Sequence, residues 1–167
     1  MHWDKGVLAE VKRNLVGPKF AKTPASTNKL LDDMARAFPD ALVSGSEHFE
    51  PGFRGKANPK DVHVAAGALK LSTTVYGGQD VVLVTNNMKH LPASAFVGTP
   101  VRCARPNIVL EQLLVAEPRV ADVLAKMLTR FNVPPLAKED LLAILDNSSC
   151  SGFATALGKA WGFDAKR

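Results

Sequence analysis

At 167 residues, 46% of them hydrophobic, the chain can bury the core of one domain with a small helical appendage. No apolar run reaches the roughly 18 residues of a membrane helix, and Met1-His2-Trp3-Asp4 lacks a signal peptide's charged and apolar regions, so the expectation is a cytoplasmic protein without a membrane partner. A formal charge of +5 favours an acidic partner, nucleic acid being the commonest, and Cys103 and Cys150 stand too far apart for a CxxC pair or a disulfide framework.

Leu8, Val11 and Leu15 recur at helical spacing, which predicts an amphipathic helix from Asp4 to Leu15, stopped before Gly17-Pro18. Glu10 rides on it. Lys12, Arg13, Lys19 and Lys22 form a run that no acid interrupts, readable as a nucleic-acid contact or as an ordinary solvated face. A second helix is expected over Ser26–Phe38, with Leu30, Leu31, Met34 and Phe38 on one face and Pro39 ending it. Ala41–Ser44 reads as a short strand and Glu47–Lys56 as a loop.

Asn58 and Pro59 then read as the N-cap and first residue of a helix running to Leu71, which puts Asp61 in its first turn. Two readings of Asp61 stand side by side. A carboxylate there meets the positive end of the helix dipole, worth about 0.3–1 kcal/mol; the other reading is chemistry. Gly77-Gly78 reads as a turn, Val81–Thr85 as a buried strand, and Thr99–Ala104 as an edge strand after the loop at Leu91-Pro92. This alternation predicts an α/β layer with parallel strands over residues 1–104. Ligands of such sheets bind beyond the carboxyl ends of the strands, where Thr85, Asn86 and Asn87 fall, although Asn is also an ordinary turn residue.

From Arg105 the pattern becomes helical only, over Asn107–Val115, Glu117–Phe131, Ala137–Asp146 and Gly152–Trp161, so residues 105–167 are expected to form a helical extension. Ser148-Ser149-Cys150-Ser151-Gly152 is not a nucleophile elbow, because no strand precedes it and the Gly-x-Ser-x-Gly spacing is missing.

Three ordered blocks resemble the PIN-domain family of metal-dependent ribonucleases, most closely its bacterial toxin branch with a helical C-terminal extension. Trp3–Leu15 is similar to that branch's early helix, whose Glu aligns with Glu10. Asn58–Ala66 resembles the Asp-Pro-x-Asp-Arg-His-Val-x-Ala block, whose second Asp aligns with Asp61. Val84–Pro92 resembles the block Val-Thr-x-Asn-x-Lys-Asp-Phe-Pro that closes the site. The chain departs from the pattern where Asn58 replaces the block's first Asp, where Val62 replaces its Arg, and where His90 stands in place of an Asp.

The resemblance implies a PIN-like three-layer fold whose parallel sheet lacks its first, central strand and the Asp that strand carries. It implies a toxin of a toxin–antitoxin system that cleaves RNA, with Glu10 and Asp61 holding Mg²⁺ or Mn²⁺ and Thr85 or Asn87 orienting phosphate or water. Lys12, Arg13, Lys19 and Lys22 would guide the RNA, and an antitoxin protein would be the partner. His90 offers a nitrogen ligand to a softer metal, or is simply a surface residue. A sheet without its central strand leaves unpaired backbone groups, each costing about 1–3 kcal/mol when buried. The gap is filled by a small separate polypeptide or by exchange in a homodimer, or else the chain is a fragment of a decayed toxin. The alternative function is a catalytically degenerate PIN-like scaffold that works as a protein-interaction module.

Overall fold

The computed structural model describes residues 1–18, 20–131 and 134–163. The chain opens with a two-residue strand β1 (Trp3–Asp4), followed by helices α1 (Lys5–Val16) and α2 (Pro24–Ala37) and a second short strand β2 (Leu42–Val43). Asp4 is extended rather than helical, and its Oδ1 accepts the Val7 N–H at 3.0 Å, so it caps α1 instead of opening it. A strand this short has no period of its own, and helical spacing alone assigns Asp4 to the helix. Thr23 caps α2 in the same way, accepting the Ser26 N–H, with Pro24 in the first turn.

The segment expected as a loop contains a 3₁₀ turn (Glu47–Phe53) that buries Phe53 to 2% exposure. Helix α3 (Val62–Lys70) starts later than the Asn58-Pro59 pair suggests. Asn58 caps a tight turn here: its Oδ1 accepts the Lys60 N–H at 3.0 Å and its carbonyl accepts the Asp61 N–H at 2.8 Å. A wider turn (Leu71–Val75) and the left-handed pair Gly77 and Gly78 lead into β3 (Val81–Val84); after a second 3₁₀ turn (Ala93–Phe96) comes β4 (Val101–Ala104). The helices α4 (Pro106–Ala116), α5 (Val120–Leu128), α6 (Lys138–Asn147) and α7 (Ser151–Ala160) complete the fold.

The fold is thus mixed α/β, and the strands pair in two separate two-stranded pieces, β1 with β2 and β3 with β4. β1 and β2 run parallel, with Trp3 opposite Leu42 and Asp4 opposite Val43. Bonds from Val81 N to Pro100 O and from Thr85 N to Ala104 O keep a constant register along β3 and β4, the mark of a second parallel pair. Helix α3 touches both pieces. A Cβ at Gly67 would meet the Asp4 carboxylate at 3.6 Å, while Ala65, Ala66 and Ala68 share a core cluster with Phe53, Leu91, Phe96 and Val101, against which Leu83 packs. Small side chains along α3 are what let two strand pairs approach one helix.

Contacts divide the chain into two compact units, residues 1–83 with 87–103, and residues 84–86 with the described residues from 104 onward. The second unit is helical around Leu114, Ala121, Cys150, Phe153 and Leu157. Polar groups lock its helix ends: Asn107 Oδ1 accepts the Phe153 N–H at 2.9 Å, and Trp161 Nε1 donates to the Ala121 carbonyl at 3.0 Å. Among the described residues no helix is long and apolar enough to cross a membrane.

Candidate active site

Asp61 sits at the N-terminal end of α3 with bridge-region backbone (φ −107°, ψ 0°), yet its carboxylate makes no capping hydrogen bond to that helix. Asp61 therefore makes no hydrogen-bonded cap, while its charge still stands at the positive end of α3. Its side chain is only 16% exposed, and Oδ2 faces two groups from the loop after β3: Asn87 Nδ2 donates to it at 3.3 Å, and His90 Nδ1 stands 3.5 Å away. A third bond closes the two loops on each other, from Asn58 N–H to the His90 carbonyl at 2.9 Å. Residues 58–61 and 87–90, separated by about two dozen positions, are in this way drawn into one site.

A second acid, absent from the sequence expectations, lies against α3 beside His63 and Gly67. Asp4 is 8% exposed and its Oδ1 is 3.7 Å from His63 Nε2. The His63 ring lies against Gly6 of α1, where a Cβ would clash with it. Gly6 is what brings α1 that close to the ring. The sequence signal for Asp4 was available in principle, since an Asp three residues before Val7 is a helix-capping pattern, but nothing local predicts that its carboxylate is buried beside an imidazole.

Glu10 lies one turn beyond Gly6 on α1 and pairs with Arg13 at 3.6 Å, with the carboxylate side chain 41% exposed. Thr85 extends β3 by donating its N–H to the Ala104 carbonyl at 3.0 Å and belongs to the helical unit, whereas Asn87 belongs to the first. Lys12, Arg13 and Lys22 are exposed; Lys19 lies outside the described residues. Cys103 and Cys150 are both free, half-buried and buried respectively, and burial pushes the Cys103 thiol up from its ordinary pKa.

Among the described residues no three His, Cys, Asp or Glu side chains gather where they would hold a metal ion. The donor chemistry agrees with this. A hard cation takes about six oxygens, whereas Asp61 already has an amide and an imidazole against one oxygen and Glu10 has a guanidinium beside it. The residues present do not by themselves complete a Mg²⁺ or Mn²⁺ site. No family model, no curated protein and no solved structure matches this chain.

Proposed function

We propose that this chain acts on RNA as one part of a PIN-type ribonuclease of the toxin branch, with Asp61 and Glu10 as its acids and with further acid supplied by a strand from outside these 167 residues. The reading rests on the three blocks that resemble that family. The observation that carries it is Asp61: a largely buried carboxylate that makes no hydrogen-bonded cap and is held by Asn87 and beside His90, residues of the other resembling block.

The division of labour follows from the contacts. Asn87 holds the Asp61 carboxylate in one orientation through its amide, and the His90 imidazole stands ready to hold or release a proton at the same oxygen. The source of the outside strand is a small polypeptide, an upstream segment or a second copy of the chain; the antitoxin expected from the resemblance is a further partner.

A second reading has its own observation. The incomplete donor set favours a PIN-like scaffold that has lost catalysis and binds protein. Cleavage of single-stranded RNA in Mg²⁺ or Mn²⁺ separates the two, run with the wild-type chain, Asp61→Asn and Glu10→Gln, with and without the candidate strand peptide. The nuclease reading expects cleavage that both substitutions lower at least tenfold; cleavage unchanged by both ends the catalytic assignment. Calorimetric titration with Mn²⁺ gives the scaffold its own expectation, no heat at millimolar metal.

A further inference from the structure

A second set of cations lies outside the run of Lys12 to Lys22. Of that run, Arg13 is engaged by Glu10 at 3.6 Å. Elsewhere, Lys29 and Arg36 share Asp33, Arg119 holds Glu117 through a bidentate pair, Lys70 donates to the carbonyls of Ser44 and Gly45, and Lys138 covers the Trp161 ring. Arg54, Lys56, Lys60 and Lys89 stand apart by their place in the loops that meet at Asp61, although Lys5, Lys12 and Lys22 are likewise exposed without an acid partner among the described residues. All four are exposed, and no acid pairs with any of them among the described residues.

Their backbones are also brought together. Arg54, Lys56 and Lys60 ride one loop, and Lys89 precedes His90, whose carbonyl receives the Asn58 N–H of that loop. Both loops are anchored from below: Phe53, Ala57 and Leu91 are at most 8% exposed and belong to one core cluster, and the Phe53 and Phe96 rings lie 5.4 Å apart. Lys56 and Ala57 both donate to the Phe53 carbonyl at 3.0 Å, so the turn carrying the cations is fixed. Residues 54–61 and 87–91 thus hold four Lys or Arg against the single acid Asp61, with Glu47 and Glu50 farther back on the 3₁₀ turn.

We infer that single-stranded RNA is held on this loop pair, with Arg54, Lys56, Lys60 and Lys89 as the phosphate contacts that lay the strand across Asp61. This rests on the proposed action on RNA and adds the surface that delivers it. Cations on a backbone that is already fixed spare the cost of ordering the loops on binding, and each phosphate contact releases bound counterions, so the affinity falls with salt by about 0.7 in log–log slope per contact on a single strand.

The test is binding of a labelled single-stranded RNA oligonucleotide by fluorescence anisotropy, in EDTA, over a salt series, with the full chain. The variant Arg54→Gln, Lys56→Gln, Lys60→Gln is expected to weaken binding on the order of tenfold or more and to reduce the salt slope by about two. Lys12→Gln with Lys22→Gln is expected to weaken it less. These side chains are exposed, and a matching far-ultraviolet dichroism spectrum confirms each variant is folded. The inference is overturned if the α1 pair costs more than the loop variant, if the loop variant binds like wild type, if binding is insensitive to salt, or if polyglutamate competes as well as RNA. Failure of the nuclease reading looks different: wild type binds RNA through these loops and leaves it uncut with Mn²⁺ even when the candidate strand peptide is added, and Asp61→Asn binds as wild type does.

Discussion

The two units bury different kinds of residue. In the first, the core around α3 is made of alanines, Phe53, Phe96 and Leu91, and it also encloses polar groups: Asp4, Thr27, Ser46 and Ser72 are each at most 8% exposed. In the helical unit the buried positions are Ala104, Leu114, Ala121, Leu128, Cys150, Phe153, Ala154, Leu157 and Gly158, with no buried charged side chain among the described residues. An apolar core is satisfied by volume alone, whereas a buried carboxylate or hydroxyl has to be held by specific partners, which costs stability unless it is used. The lesson is that chemistry is to be sought in the first unit, and that the helical unit is built for packing. A shallow groove of about 350 Å³ on it is lined by Ala125, Leu128, Phe131, Pro135 and Lys138.

The sharpest way to break this comparison is to damage one core and watch the other. Phe153→Ala in the helical unit and Phe53→Ala in the first should each cost about 3–5 kcal/mol. Trp3 and Trp161 lie in different units, so Trp3→Phe leaves a reporter in the helical unit and Trp161→Phe one in the first. If the cores are separate, urea unfolding followed by the local tryptophan shifts only for the damaged unit; equal shifts at both reporters would mean one cooperative core.

Gly6→Ala comes next, with an expected loss of about 1–3 kcal/mol, because the added methyl meets the His63 ring and the Asp4 carboxylate and α1 must move away from α3. The Trp3 reporter should record it and the Trp161 reporter should not. A loss below a few tenths of a kcal/mol would show that α1 does not press on His63.

A smaller and more informative contrast separates the two buried carboxylates. Asp4→Ala removes a working cap and should cost roughly 1 kcal/mol, while Asp61→Asn should change stability by less than about 0.5 kcal/mol and act on RNA cleavage instead. Equal losses of stability would return Asp61 to a structural role.

The smallest effect concerns Cys103. Burial raises its pKa above the ordinary 9.0, so the folded protein keeps the thiol protonated while the unfolded chain ionises. Stability contributed by the neutral thiol is complete below the unfolded pKa and declines as pH rises from there to the raised folded value. Iodoacetamide labelling of Cys103, followed by mass spectrometry, should lag behind labelling in urea across that range; equal rates would show the thiol is open to water.

Much of the architecture was legible in the residues themselves. The periodicity of Leu8, Val11 and Leu15, the proline and glycine punctuation, and the apolar run at Val81 locate the elements to within a few residues, because helix and strand periods and backbone-restricted residues act locally. Asp61, Asn87 and Glu10 were marked by their motifs. What no local pattern contains is which way a carboxylate turns, and Asp61 reads as a cap from sequence for that reason. Only the approach of the 87–90 loop, fixed by the Asn58 to His90 bond, gives its oxygen other partners. The separation of the strands into two parallel pairs, the burial of Asp4 against His63, and the gathering of Arg54, Lys56, Lys60 and Lys89 beside Asp61 were likewise decided by the tertiary structure, since each depends on residues distant in the chain meeting across α3 or across a loop.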